Sequence, residues 1–107
     1  MSASEERVAR NEALFREFNE RVEDLADTLD VDRIRFVCEC GDLDCLERVE
    51  LTRAAYEDVR SDPTRFVVTR GHEKADIERV VAYGEGYVVV EKLAEAAEVA
   101  IEHDPRT

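Results

Sequence analysis

Three cysteines lie within eight residues of this chain, and the sequence has no others. They are Cys38, Cys40 and Cys45, in a C-x-C-x4-C arrangement. Because side chains alternate along a strand, Cys38 and Cys40 are expected to share one face. Gly41 then permits the tight turn that brings Cys45 back towards them. Thiolate sulfur is a preferred ligand of tetrahedral structural zinc, so the spacing predicts a metal site that needs one further ligand.

The chain offers two histidines for that fourth position. His72 follows Gly71 in a predicted turn after a strand, and a turn at the edge of a sheet can reach the cysteines. His103 is the weaker candidate, because it lies in a C-terminal segment that we expect to be loose. The sequence therefore predicts a zinc (Zn) site with four ligands: Cys38, Cys40, Cys45 and His72.

Two alternatives leave the cysteines without a metal. They can pack as small apolar residues, or Cys38 and Cys40 can form a strained disulfide with Cys45 as the resolving thiol. Nearby carboxylates oppose the second alternative, because they raise the pKa of a thiol. The residues between the cysteines oppose the first, because they favour a surface turn: Glu39, Gly41, Asp42 and Asp44.

A third alternative is a small metal-dependent enzyme. If water replaced His72 on the metal, Glu73 could serve as a general base. The sequence contains no nucleophile–base motif, phosphate-binding loop or dinucleotide fingerprint, which favours a non-enzymatic protein.

Charge and length restrict the classes of function further. The 107 residues carry a formal net charge of -12 at pH 7. No basic stretch is available to neutralise phosphates, so we expect neither nucleic-acid binding nor attraction to an anionic membrane. A basic protein partner fits this charge better. The polar N-terminal segment lacks the apolar region of a signal peptide, which predicts a cytoplasmic protein with reduced thiols.

The hydrophobic pattern predicts an α+β fold. We expect a long N-terminal helix packed on a small antiparallel sheet, with a short middle helix and a C-terminal helix. A single domain is predicted over 1–107, with the helix at 4–29, a metal-binding core at 33–92 and a helical or loose tail at 93–107. Strands are predicted at 33–38, 47–51, 66–68, 77–83 and 87–91, and the middle helix at 53–60.

Ser4 is a suitable cap for the start of the predicted N-terminal helix. Its apolar residues recur at helical spacing and form one stripe: Val8, Phe15, Phe18, Val22, Leu25 and Leu29. Asn11 falls on this stripe, where a polar residue can set the register of a coiled coil. The stripe thus also offers a surface for a homodimer through the N-terminal helix: Val8, Phe15, Val22 and Leu29.

Several segments resemble a known group of proteins. They are FVCECGD at 36–42, VELT at 49–52, DPTRF at 62–66, GHE at 71–73 and YVVVEK at 87–92. With its C-x-C-G-x3-C and G-H-E pattern, nearly the whole chain resembles a group of short acidic actinobacterial proteins of unassigned function. The resemblance implies a complete small protein or module, and it implies no activity, ligand or partner.

The cysteine segment is also similar to the start of SWIM-type zinc fingers, whose pattern ends in C-x-H. Here Cys45 is followed by Leu46 and Glu47, so that final pair is absent. This departure argues against a SWIM assignment and its nucleic-acid role.

The sequence therefore favours a non-enzymatic, zinc-stabilised small cytoplasmic module that acts through protein contacts. The first alternative is a thiol-based redox or metal sensor, and the second is a small metal-dependent enzyme. Neither the sequence nor the resemblance indicates a biological role.

Overall fold

A computed structural model describes residues 2–106. Its elements in chain order are α1 (Ala3–Thr28), β1 (Arg33–Val37), β2 (Arg48–Thr52), α2 (Arg53–Arg60), β3 (Arg65–Thr69), β4 (Glu78–Tyr83), β5 (Tyr87–Lys92) and α3 (Ala94–Glu102). The α+β prediction is confirmed, and the bounds predicted for the N-terminal helix, the middle helix and the five strands lie within one residue of those in the structure.

The five described strands form two antiparallel sheets, whereas a single sheet was predicted. β1 pairs with β2, and the second sheet has the order β3-β5-β4. The sheets meet just beyond β1, where the Glu39 N–H donates to the Val67 carbonyl at 2.9 Å. This contact places the cysteine segment beside β3.

Helix α1 begins one residue earlier than predicted, because Ser2 and not Ser4 is its cap. The Ser2 hydroxyl accepts a hydrogen bond from the Glu5 N–H at 3.1 Å, and the Glu5 carboxylate accepts one from the Ser2 N–H at 2.9 Å. This reciprocal capping box satisfies two backbone donors at the start of the helix.

The face of α1 that packs against the protein is not the predicted apolar stripe. Phe18, Leu25 and Leu29 are exposed, and Val8 and Val22 are only half-buried. The buried residues lie about a third of a turn away around the helix. They are small or polar: Ala9, Glu12, Ala13, Arg16, Asn19, Glu23 and Ala26.

Arg16 shows how a buried polar residue of α1 is accommodated. Its guanidinium donates to the carbonyl of Pro63 at 2.6 Å and to that of Ala100 at 2.7 Å. The same group lies 4.4 Å from the centre of the Phe66 ring, within the range of a cation–π interaction. Arg16 therefore connects α1 to α3 and to the start of β3.

A second buried contact joins α1 to the three-stranded sheet. The Lys92 ammonium forms ion pairs with both Glu12 and Glu78, and all three side chains are almost completely buried. Burial raises the pKa of Glu12 to about 7, although the ammonium of Lys92 opposes the shift.

The segment after α3 is held in place, whereas the sequence predicted a loose tail. Asp104 forms a buried ion pair with Arg60. Arg106 donates to Glu20 at 2.8 Å and to Glu57 at 2.7 Å, which connects the segment to α1 and α2. Thr107, also part of the predicted tail, lies outside the described residues.

The apolar core has two parts, one for each sheet. The first part lies against the β1–β2 hairpin, where Phe36 of β1 stacks on Tyr56 of α2 with ring centroids 4.2 Å apart. The second part lies on the three-stranded sheet and includes two of the cysteines: Cys38, Cys40, Phe66, Val68, Val88, Val90 and Ala100.

Within residues 2–106, none of the helices has both the length and the apolar character needed to cross a membrane.

Candidate metal centre

The structure brings the four predicted ligands together. The ligand atoms of Cys38, Cys40, Cys45 and His72 all lie within 4.8 Å of one another. His72 Nδ1 lies 3.6 Å from Cys38 Sγ and 3.6 Å from Cys45 Sγ. Zn–S bonds of about 2.3 Å and Zn–N bonds of about 2.1 Å at a tetrahedral angle separate S and N by about 3.6 Å. The cluster therefore has the dimensions needed to hold one metal ion.

His103, the weaker candidate for the fourth ligand, is exposed at the C-terminal cap of α3. It is not a member of the cluster formed by the three cysteines and His72.

The β1–β2 hairpin positions the first cysteines. Cys38 directly follows β1, and its N–H donates to the Glu47 carbonyl at 3.2 Å, so the pairing continues one residue beyond the strand. Gly41 has a φ of +79°, which turns the chain after the second cysteine. The Cys45 N–H then donates to the Asp42 carbonyl at 3.1 Å, which closes the turn that returns Cys45 to the site.

Helix α1 packs closely against this turn. A Cβ atom added at Gly41 would lie 2.7 Å from the Val8 carbonyl oxygen and 2.6 Å from Cγ of Glu12. Asn11 Nδ2 donates to the Gly41 carbonyl at 3.2 Å. The side chain of Asn11, a candidate for setting coiled-coil register, is thus used within the chain to hold the cysteine segment.

A separate turn after β3 delivers His72. The His72 N–H donates to the Thr69 carbonyl at 2.9 Å, and Gly71 between them has a φ of +93°. This left-handed residue is the glycine that a type II turn requires at its third position. The Gly71 N–H also donates to the Glu73 carboxylate at 2.7 Å, so Glu73 stabilises the turn that carries the histidine.

Hydrogen-bond donors point at the sulfur atoms. The hydrogen bond from the Cys40 thiol lowers the pKa of Cys38, and the Thr69 N–H, 3.2 Å from Cys38 Sγ, contributes in the same direction. The pKa of Cys40 is raised, because its thiol is the donor to Cys38 and because it is buried. The Cys40 thiol is this donor only in the metal-free protein, because a metal-binding cysteine is deprotonated. The Thr69 N–H remains available to stabilise the negative charge of a metal-bound Cys38 thiolate.

Glu39, between the first two cysteines, contradicts the predicted surface turn. Its side chain is completely buried. One carboxylate oxygen accepts hydrogen bonds from the Tyr56 hydroxyl at 2.9 Å and from Asn19 Nδ2 at 2.8 Å, and the other accepts one from the Val67 N–H at 3.0 Å. Burial raises the pKa of Glu39, although these three donors oppose the shift.

Asn19 also holds the end of β1. Its Oδ1 accepts from the Val37 N–H at 3.0 Å, and its Nδ2 donates to the Val37 carbonyl at 2.9 Å. The sequence did not lead us to predict that Asn19 and Glu39 hold the cysteine segment in place. A signal for Glu39 was present, because the alternation that puts Cys38 and Cys40 on one face puts the residue between them on the other.

An apolar groove of about 600 Å³ runs between α1 and the cysteine turn. Leu14 and Phe18 line it from α1, and Leu43 and Leu46 line it from the turn. Cys45, which is half-buried, also borders the groove. The candidate metal centre therefore lies beside an apolar surface.

Comparison with protein-family models, with curated proteins and with solved structures finds no significant match to this chain. The resemblance to short acidic actinobacterial proteins stays a prediction, and the assignment of the site depends on its geometry.

Replacing Tyr56 by Phe removes one donor from the buried Glu39 carboxylate. We expect the free energy of unfolding to fall by about 2 kcal/mol, the usual worth of a hydrogen bond to a charged group. Tyr83→Phe is the matched control, because the Tyr83 side chain is 74% exposed and its hydroxyl can be solvated. Urea denaturation of both variants measures the difference, and equal stabilities would contradict the assigned role of Tyr56.

Replacing Gly41 by Ala tests the close approach of α1. Gly86 has a φ of +80°, nearly that of Gly41, but an added Cβ there meets no atom within 4 Å. Both Ala variants carry the cost of a left-handed residue, about 1–2 kcal/mol. Only Gly41→Ala also collides with the backbone of Val8, so we expect it to lose more stability than Gly86→Ala in thermal and urea unfolding. Equal losses of stability would show that α1 can move away from the added Cβ atom without destabilising the protein.

Proposed function

We propose that this chain is a non-enzymatic, zinc-binding module of the cytoplasm that acts through contacts with a protein partner. The bound ion would cross-link the β1–β2 hairpin to the turn after β3. One observation carries the proposal: three sulfur atoms and one imidazole nitrogen, from segments 27 or more residues apart, lie within 4.8 Å of one another.

The donor set supports zinc over magnesium or calcium. Three sulfurs and one nitrogen suit a borderline-soft ion in a tetrahedral site, whereas magnesium and calcium prefer oxygen ligands. Three thiolates and a neutral imidazole give a zinc centre a net charge of about -1. The Thr69 N–H directed at Cys38 Sγ helps to stabilise that charge.

The number of ligands supports a structural role for the metal. Catalytic zinc usually has three protein ligands and an open position for water, whereas four protein ligands complete the tetrahedron. Glu73, the residue considered as a general base, instead accepts the N–H of Gly71 in the histidine turn. A cross-link of this kind contributes a large share of the stability of a small domain, which totals only about 5–15 kcal/mol.

Metal removal tests the proposal directly. Purified protein is expected to contain one zinc per chain by elemental analysis. Excess chelator should lower the melting temperature by more than about 10 °C, because the loss of a few kcal/mol shifts a domain of this size by that amount. Cys40→Ser should melt at the lower temperature with or without chelator. Metal-free protein whose melting temperature is insensitive to chelator would refute the proposal.

The two histidines provide a matched pair of variants. His72→Ala should weaken metal binding by at least about tenfold and alter the visible absorption of the cobalt-substituted protein, because one of four ligands is lost. His103→Ala should leave both unchanged, because His103 lies outside the cluster. Competition with a chromophoric chelator gives the affinities, and equal affinities of the two variants would remove His72 from the site.

A thiol-based redox or metal sensor is the second candidate function. It is favoured by Cys45, which is half-buried and borders an open groove, where a small oxidant can reach it. Peroxide would convert two thiolates into a disulfide, would itself be reduced to water, and would release the metal. Thiol counting and zinc release under mild peroxide, followed by recovery in dithiothreitol, test this function. Thiols that stay constant under peroxide would exclude it.

A further inference from the structure

The groove beside the metal centre exposes an unusual amount of apolar surface. Phe18 is 53% exposed, Leu43 69% and Leu46 84%. A single exposed leucine needs no explanation, but apolar side chains that line one groove mark an interaction site. These residues come from two separate segments, α1 and the cysteine turn, so the groove is a product of the fold.

The apolar surface continues along α1 beyond the groove. Leu14, Phe18, Leu25 and Leu29 are all exposed and lie on the same face of the helix. From Leu14 to Leu29 this face is about 22 Å long, at a rise of 1.5 Å per residue. A surface of this length and shape fits a partner helix that places apolar residues at i, i+3, i+4 and i+7.

The cysteine turn beside the groove carries three carboxylates. Asp42, Asp44 and Glu47 are exposed on the cysteine turn, and none of them forms an ion pair within the described part of the chain. The groove itself is lined by one carboxylate and two guanidinium groups, those of Glu17, Arg21 and Arg48. The three carboxylates of the cysteine turn therefore outnumber the one guanidinium, that of Arg48, that has no carboxylate partner among the described residues. Arg21 pairs with Glu17 at 3.3 Å, and Arg48 donates to the carbonyls of Leu46 and Glu47.

We propose that this groove binds the apolar face of a basic amphipathic helix supplied by a partner protein. The leucines that line the groove and Phe18 contact the apolar face of the partner helix. The unpaired carboxylates of the cysteine turn form ion pairs with lysine or arginine residues beside that face. A second copy of the chain fits less well, because it brings the same net charge of -12 to the interface. The inference rests on the proposed function, since it identifies the protein contact through which the module acts.

Synthetic peptides test the required chemistry of the partner. The zinc-loaded full chain is titrated with three labelled 18-residue peptides: an amphipathic Leu/Lys helix, the same helix with Glu in place of Lys, and a scrambled Leu/Lys peptide of identical composition. Fluorescence anisotropy should show saturable 1:1 binding of the first peptide only, weakened by added salt. Equal binding of the acidic or the scrambled peptide would overturn the proposal.

Variants locate the binding surface. Leu43→Ser with Leu46→Ser should weaken binding of the Leu/Lys peptide by at least about tenfold, as expected for central apolar anchors. Both side chains are exposed, so the fold should be retained. The control Val31→Ser with Ile101→Ser changes exposed apolar residues outside the groove and should bind as the wild type does. Equal binding by the groove variant and the wild type would overturn the proposal.

A second pair of variants isolates the charge contribution. Asp44→Asn with Glu47→Gln should weaken binding about threefold to tenfold and reduce its salt dependence. Asp58→Asn with Glu85→Gln removes the same charge from exposed positions elsewhere and should have little effect. If the two pairs behave alike, net charge alone attracts the peptide, and the proposed role of the cysteine turn is wrong.

Two further measurements separate this inference from its alternatives. Light scattering that shows a dimer, converted to a monomer by Leu43→Ser with Leu46→Ser, would assign the groove to a second copy and overturn the proposal. Zinc content is measured on every sample. Zinc-loaded protein that binds no peptide contradicts the docking inference alone, and zinc-free protein that binds the Leu/Lys peptide through the groove contradicts the metal function alone.

Discussion

The buried carboxylate of Glu39 is the interaction on which this arrangement depends. It gathers donors from α1, α2 and β3, supplied by Asn19, Tyr56 and the Val67 N–H. A buried carboxylate without such donors costs several kcal/mol, so the three elements have to meet for the segment to be stable. Since Glu39 stands between Cys38 and Cys40, fixing its side chain on one face of the backbone directs both sulfurs to the other. The candidate metal centre is thus organised by a residue that does not touch it, as metal ligands are commonly oriented by surrounding hydrogen bonds.

Helix α1 reverses the usual distribution of polar and apolar residues. Its buried face contains Glu12, Arg16 and Asn19, each with a defined partner in another element. Its apolar stripe is left partly in solvent and forms one side of the groove. Buried polar side chains with fixed partners add little net stability, but they restrict the helix to one position and rotation. The apolar stripe is exposed as a consequence, because a helix that packs its polar face against the core leaves its other face in solvent.

The sequence predicted the order of elements, because periodicity, caps and turn residues are local signals. Thr52, directly before the predicted middle helix, caps α2, with its hydroxyl accepting the Ala55 N–H at 3.1 Å. The spacing of the cysteines and the glycine before His72 also predicted the cluster. The packed face of α1 and the ordered segment after α3 were missed, because their partners are far apart in the chain. Periodicity shows where apolar residues recur along a helix, and it does not show which face the rest of the protein will cover.

The partners of α1 have a consequence for the order in which the protein is assembled during translation. Arg16 bonds to the carbonyl of Ala100 and Glu12 pairs with Lys92, which are 84 and 80 residues further along the chain. At about 5–20 residues per second, a ribosome takes roughly 4–17 s to reach these partners. Throughout that interval the guanidinium of Arg16 and the carboxylate of Glu12 lack these two partners. Charged groups stay hydrated until their partners are made, whereas apolar side chains in their place would favour aggregation of the nascent chain.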